Sequence, residues 1–169
     1  PPRHDLTALA AENSDCVGWL TIPDTGIDYP VMHTPDDPEH YLRRDFYGES
    51  ASGGTPFLDG RNLAEAENQN LILYGHNMMD GSMFKPLMNY LEPNFRETHK
   101  DIFLEIDGRH YQQNDEDDNP LTARRIHIRF DIGAESNGIL FLVVRAVAVN
   151  QLPAVLSDKR IILLSLIHI

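Results

Sequence analysis

The run Asn70-Leu71-Ile72-Leu73-Tyr74-Gly75-His76-Asn77-Met78 is apolar at first and then ends abruptly in polar residues. Three consecutive aliphatic residues followed by tyrosine predict a buried strand of about five residues. Gly75 allows the chain to turn where a side chain would collide. His76 then stands where a strand gives way to a loop, which is a common place for catalytic groups. Taken alone, His76 is better explained as a hydrogen-bonded, partly buried histidine, so the flanking sequence has to decide between the two interpretations.

The composition is that of one globular domain. A chain of 169 residues is long enough for a sizeable core, and 41% hydrophobic with 24% charged residues is ordinary for such a domain. The net charge of -12 argues against a nucleic-acid partner, because phosphate contacts need clustered Lys and Arg. No stretch approaches the ~18 apolar residues of a membrane span. Because the chain starts at Pro1 rather than Met, we expect a fragment whose upstream targeting segment is missing.

The rest of the chain alternates short apolar runs with turn residues, which predicts many short strands and few helices. The predicted strands are 17–23, 27–32, 56–59, 102–106, 109–111, 124–131 and 161–167, and 138–149 is almost wholly apolar. Helices are predicted at 5–13 and 83–91, with a shorter helical turn at 94–99 and a short helix or extended segment at 41–46. This pattern predicts a mainly β domain with mostly antiparallel pairing and peripheral helices.

The other chemistry-bearing residues carry weaker signals. Cys16 is the only cysteine, so no internal disulfide forms, and a small inert apolar role fits it better than a catalytic one. The acidic run 115–118 is most simply a solvated loop, because it lacks the glycine and the terminal glutamate of a calcium loop. A metal-dependent hydrolase using His76, Asp80 and Asp59 is an alternative. It is weakened by the absence of a second histidine at ligand spacing.

Five blocks of sequence, taken in order, resemble the class B sortases, which are cysteine transpeptidases of Gram-positive cell surfaces. The blocks are Asn13-Ser14-Asp15-Cys16-Val17-Gly18-Trp19-Leu20, Thr25-Gly26-Ile27-Asp28-Tyr29-Pro30-Val31, Tyr41-Leu42-Arg43-Arg44-Asp45-Phe46, Gly54-Thr55-Pro56-Phe57-Leu58-Asp59-Gly60-Arg61-Asn62, and Asn70 to Met78 followed by Asp80-Gly81-Ser82-Met83-Phe84. The resemblance covers residues 13–111. It implies a sortase-like β-barrel with helices packed on it, in a single domain spanning residues 1–169.

The resemblance also implies a Cys-His-Arg active site that acts on the C-terminal sorting signal of secreted proteins. In this family a thiolate forms a thioacyl enzyme, which an amine, usually from peptidoglycan, then resolves. His76 matches the family's catalytic histidine, and an imidazole near neutral pKa can protonate the leaving amine and deprotonate the incoming one. Leu42 and Tyr74 match positions that line the substrate groove, although core packing explains each of them equally well. No cofactor is implied.

The sequence departs from the family near its end. Residues 158–165 resemble the strand that leads to the nucleophile, but the nucleophile position itself falls on Ile167, and no later arginine follows. Isoleucine has no ionisable group and cannot replace a thiolate. Ser165, which matches a further substrate-groove position, would share a strand face with Ile167 without reaching its place. Residues 112–157 also diverge from the family.

These departures lead to two expectations and to one alternative function. The barrel is expected to be incomplete at its C-terminus, and this polypeptide by itself is expected not to catalyse transpeptidation. The alternative is a non-catalytic surface domain that binds sorting-signal peptides. The resemblance places either protein on the extracellular face of the bacterial membrane, held there by an anchor upstream of this chain.

Overall fold

The computed structural model of the chain describes residues 4–62, 70–106, 109–113, 124–129 and 139–147. The described strands are β1 Cys16–Ile22, β2 Ile27–Met32, β3 Phe57–Leu58, β4 Asn70–His76, β5 Ile102–Ile106, β6 Arg109–Gln113, β7 Arg124–Arg129 and β8 Ile139–Val147. The helices are α1 Leu6–Glu12 and α2 Pro93–Thr98, and two 3-10 helices span His40–Arg43 and Lys85–Leu91. The predicted strand at 161–167 lies outside the described residues.

The strands pair in the order β1-β2-β3-β4-β8-β7-β6-β5, and β5 returns to pair with β1, so the pairings run in a ring. Most neighbours are antiparallel, while β2 with β3 and β6 with β7 are parallel. The predicted mainly β barrel with mostly antiparallel pairing and peripheral helices is therefore confirmed. The expected incompleteness at the C-terminus concerns residues after Val147, which lie outside the described ranges.

Alternating burial along β1 places the core inside the ring. Cys16, Gly18, Leu20 and Ile22 are buried, whereas the residues between them are half-buried. This is the period of two that a strand with one face on the core requires. Among the residues that the structure describes, the main core cluster contains these buried side chains: Leu20, Ile22, Ile27, Val31, Leu58, Leu71, Leu73, Phe84, Leu87, Tyr90, Ile102, Leu104, Ile106, Leu140 and Leu142.

The segment predicted as a helix over 83–91 forms a 3-10 helix, and this changes which residues it buries. An α-helical spacing assigns Leu91 to the core face, but its side chain is 52% exposed, and Tyr90 is buried instead. A 3-10 helix has three residues per turn, so side chains three apart lie above one another. Phe84, Leu87 and Tyr90 have this spacing and are all buried.

Candidate active site

His76 is the last residue of β4, and its side chain is buried at the end of the strand. Its backbone pairs with Ile139 of β8 on one side, and its carbonyl oxygen accepts a 2.9 Å hydrogen bond from Phe84 N. The side chain is 6% exposed. Gly75, immediately before it, lies under the ring of Phe84, so closely that an added Cβ would be 2.7 Å from that ring. The end of β4 is thus fixed by packing, and His76 has little freedom to move.

One hydrogen bond defines the protonation pattern of the His76 ring. Nδ1 lies 3.1 Å from the carbonyl oxygen of Gly53. A carbonyl oxygen can only accept, so Nδ1 carries the proton and donates it. In the neutral ring Nε2 then has the lone pair, which makes Nε2 the atom that can take a proton from a reacting group.

The electrostatic surroundings keep this ring neutral near pH 7. Burial lowers the pKa of His76 below its ordinary value of 6.5, the Gly53 carbonyl raises it in part, and the positive charge of Arg43 lowers it again. Arg43 is exposed and lies in the 3-10 helix His40–Arg43. His76 is therefore held in its base form by burial and by the positive charge of the exposed Arg43. A histidine in its base form is what acid–base chemistry near neutral pH requires.

Leu42 and Tyr74, the two predicted groove residues within the described ranges, lie against one small cluster. Both are half-buried and pack on the buried side chains of Cys16, Met32, Tyr41 and Phe57. The ring of Tyr74 stacks on Phe57 with centroids 5.5 Å apart. Both residues thus pack against the same buried cluster, an arrangement that fits both a groove wall and ordinary core packing. Ser165, the third predicted groove residue, and Ile167 lie outside the described residues.

A polar network next to Tyr74 was not predicted from the sequence. The Tyr74 hydroxyl donates to Asp59 Oδ2 at 2.9 Å, and the Arg61 side chain donates to both oxygens of Asp59 at 2.8 Å. The Arg61 hydrogen bonds lower the pKa of the buried Asp59 to about 2, and burial together with the Asp59 charge raises the pKa of Tyr74 to about 12. The Tyr74 hydroxyl is thus occupied by its hydrogen bond to Asp59, so the part of Tyr74 that remains for contact with a bound peptide is its ring.

Cys16 belongs to the buried cluster against which Leu42 and Tyr74 pack, and its surroundings are not those of a reactive thiol. It is 4% exposed, it begins β1, and its Sγ lies 3.7 Å from the Gly18 carbonyl oxygen. Burial raises the pKa of the thiol above its ordinary value of 9.0. A raised pKa disfavours the thiolate, which is the nucleophilic form. The structure agrees with the interpretation of Cys16 as a small buried residue.

The residues of the metal-hydrolase alternative have other partners. Asp59 is paired with Arg61, and Asp80, at an exposed turn, accepts hydrogen bonds from the backbone and hydroxyl of Ser82 at 2.9 and 2.6 Å. Within the described ranges, His, Cys, Asp and Glu side chains form no group of three that would hold a metal ion. The structure thus gives this alternative no support.

The fold is that of a sortase. The structure of a Staphylococcus aureus sortase B–substrate complex superposes with a TM-score of 0.66 and 27% sequence identity, over 85% of this chain and 85% of that one. No helix in the described part of the chain is long and apolar enough to cross a membrane. No family model matches the sequence.

Two sequence relatives show to which class of sortase the chain is similar, namely class B. The chain is 43% identical to sortase B of Listeria monocytogenes over 110 residues, and 37% identical to sortase B of Staphylococcus aureus over 108 residues. These alignments cover 65% and 64% of this chain, and 44% and 43% of the relatives. Sequence and fold together confirm the resemblance to the class B sortases. The matched region spans less than half the length of these two relatives.

Proposed function

We propose that the chain derives from a sortase B-type cysteine transpeptidase. Such an enzyme cleaves the C-terminal sorting signal of a secreted protein and joins the new carboxyl end of that protein to a cell-wall amine. The observation that carries the proposal is His76, a buried neutral histidine at the end of β4 with its Nδ1 proton held by Gly53. His76 lies within residues 13–111, the part of the sequence that resembles the class B sortases. The proposed acceptor is a peptidoglycan amine, at the extracellular face of the membrane.

In this reaction the role of His76 follows from its geometry. The cysteine thiol of such an enzyme first gives its proton to the histidine. The resulting thiolate attacks the peptide carbonyl, the C–N bond breaks, and the leaving amine takes that proton from the histidine. An incoming amine then attacks the thioacyl carbon, gives a proton back to the histidine and releases the thiolate. Because Nδ1 is occupied by Gly53, Nε2 is the atom that exchanges this proton. The lowered pKa of His76 keeps the resting ring unprotonated and favours the step in which the protonated ring gives its proton to the leaving amine.

We further propose that the 169-residue polypeptide does not complete this reaction on its own. Its single cysteine, Cys16, is buried in the cluster beneath Leu42 and Tyr74, and the position expected for the nucleophile is Ile167. Without a thiolate no thioacyl bond forms. A second function remains open to such a chain, namely binding of sorting-signal peptides without turnover. It is favoured by the packing of Leu42 and Tyr74, the two groove candidates, against one buried cluster.

The test uses the substrate present in the Staphylococcus aureus sortase B complex as the probe. Calorimetric titration of the purified chain is expected to show binding with a dissociation constant in the micromolar range, about -8 kcal/mol or weaker. Mass spectrometry in the presence of hydroxylamine is expected to show intact substrate and no acyl transfer. A transferred product would refute the proposed lack of activity, and the absence of any heat would refute peptide binding.

Two variants sharpen the titration. Tyr74→Ala removes the ring that stacks on Phe57 and is expected to weaken peptide binding at least tenfold. Thr21→Ala, on the outward face of β1, is the matched control and is expected to bind as the parent chain does. Equal affinities of the two variants would assign Tyr74 to core packing alone.

A further inference from the structure

The loop from Ala51 to Thr55 forms hydrogen bonds both with the 3-10 helix His40–Arg43 and with the side chain of His76. At its start Ala51 N donates to Arg43 O at 3.0 Å, and at its end Thr55 N donates to Tyr41 O at 3.0 Å. The Thr55 hydroxyl donates to Arg44 O at 2.9 Å. Both ends of the loop are therefore fixed to the same helix, and only its middle faces β4.

The middle of the loop has a shape that a side chain would not permit. Gly54 has φ +61°, and an added Cβ there would collide with the carbonyl oxygens of Leu42 and Tyr41. Both conditions favour glycine, since a positive φ is strained for other residues and the helix leaves no room for a methyl group. The peptide between Gly53 and Gly54 is thereby set in one orientation, with the Gly53 carbonyl oxygen 3.1 Å from His76 Nδ1.

We propose that the Gly53 carbonyl is the positioning group of His76, held in place by the left-handed Gly54, and that it fixes the Nδ1–H tautomer with Nε2 as the proton-exchanging atom. In serine and cysteine hydrolases with a triad, a carboxylate or amide side chain orients the histidine in this way. Within the described part of the chain, the hydrogen bond to the His76 ring comes from a backbone carbonyl. A neutral carbonyl orients the ring without adding a negative charge beside it, so the ring is not stabilised as an imidazolium to the extent that a carboxylate would cause.

The catalytic role of Nε2 rests on the proposed function. The Nδ1–H tautomer of His76 does not rest on it and can be tested separately. It is measured on the folded chain without substrate, by long-range 1H–15N NMR of the histidine rings above pH 7. His76→Gln identifies the His76 signals by their loss. Failure of peptide binding would therefore leave the tautomer result standing, and a wrong tautomer would leave peptide binding untouched.

The expected result is that His76 of the parent chain is protonated on Nδ1, and that Gly54→Ala, which displaces the loop, reduces the share of this tautomer at least twofold. Ser52→Ala changes an exposed side chain in the same loop and is expected to preserve the tautomer. If Gly54→Ala does not fold, Thr55→Val serves instead, because it removes only the hydroxyl bond to Arg44 O and is expected to shift the same equilibrium. Protonation of His76 on Nε2 in the parent chain, or an unchanged tautomer in the folded loop variant, would overturn the proposal.

Discussion

The hydroxyl of Tyr74, within β4, donates a 2.9 Å hydrogen bond to the carboxylate of Asp59, the residue that follows β3 and lies fifteen residues earlier in the sequence. The same carboxylate holds Arg61 through two side-chain hydrogen bonds of 2.8 Å. Asp59 is 7% exposed, whereas the Arg61 side chain is 80% exposed. A buried anion is therefore compensated by an exposed cation and a buried phenol, and its contribution to stability depends on its charge.

Asp59→Asn is expected to destabilise the fold in a pH-dependent manner. The folded-state pKa of Asp59 is lowered from 3.8 to about 2, so its stabilising contribution is present above pH 3.8 and is lost as the pH falls toward 2. Because solvent screens the exposed Arg61, we expect Asp59→Asn to lower the free energy of unfolding by roughly 1–2 kcal/mol at pH 7. Urea unfolding at pH 7 and at pH 2 measures the difference between the unfolding free energies of the variant and the parent chain.

The control for this change is Asp36→Asn, which removes the same charge from an exposed position. It is expected to change the free energy of unfolding by less than about 0.5 kcal/mol at either pH. A loss in Asp59→Asn that is as large at pH 2 as at pH 7 would show that the network acts through packing and not through the charge of Asp59.

Arg43→Gln is expected to raise the pKa of His76. The positive charge of Arg43 opposes protonation of the ring, so its removal moves the pKa upward toward the ordinary value of 6.5. An NMR pH titration of the His76 ring measures the change. Arg44→Gln removes a neighbouring exposed charge whose guanidinium donates to Gly48 O and is the matched control. The same pKa shift in both variants would assign the effect to net charge rather than to the position of Arg43.

Gly75→Ala is expected to destabilise the chain by about 1–3 kcal/mol through overpacking. The added methyl would lie 2.7 Å from the ring of Phe84, which is fully buried. Adding Phe84→Leu to this variant removes the ring and is expected to recover part of the loss, so the two changes should be coupled in a double-mutant cycle of urea unfolding. Strictly additive free energies would mean that the collision is relieved by a movement of the backbone.

Cys16 is expected to resist alkylation in the folded chain. It is 4% exposed and burial raises the pKa of its thiol, so both access and thiolate fraction are reduced. Iodoacetamide labelling at pH 7.5, followed by mass spectrometry, is expected to be at least a hundredfold slower in buffer than in 6 M guanidinium chloride. Rapid labelling of the folded chain would contradict the buried, inert role and reopen a catalytic one.

The strands were predictable from the sequence where burial alone determines them. The aliphatic residues before Tyr74 indicate a buried strand, and β4 Asn70–His76 confirms it. The strands predicted at 27–32 and 102–106 likewise correspond to β2 and β5. In contrast, the segment 83–91 was assigned the wrong helical period, because apolar residues at 83, 84, 87 and 88 fit an α-helix as well as a 3-10 helix.

The site was predictable only in part. His76 was recognised by its position after the strand and by its neighbours in the sequence, but nothing in the sequence tests its catalytic role. The contact from Gly53 has no sequence signature, because every residue has a carbonyl oxygen. The Asp59–Tyr74 bond depends on the pairing of β3 with β4, a relation between distant segments that local patterns do not encode.

The shortness of β3 has a consequence for how the barrel opens. β3 has two residues and meets β2 at the single pair Met32↔Phe57, whereas β1 and β2 share six pairs. Few interstrand hydrogen bonds must break for β2 and β3 to part at this line, so its amide hydrogens should exchange with solvent sooner than those of the β1–β2 hairpin. The barrel therefore has a weak longitudinal seam, and one of its two edges is β3, which pairs on its other side with the strand that ends in His76.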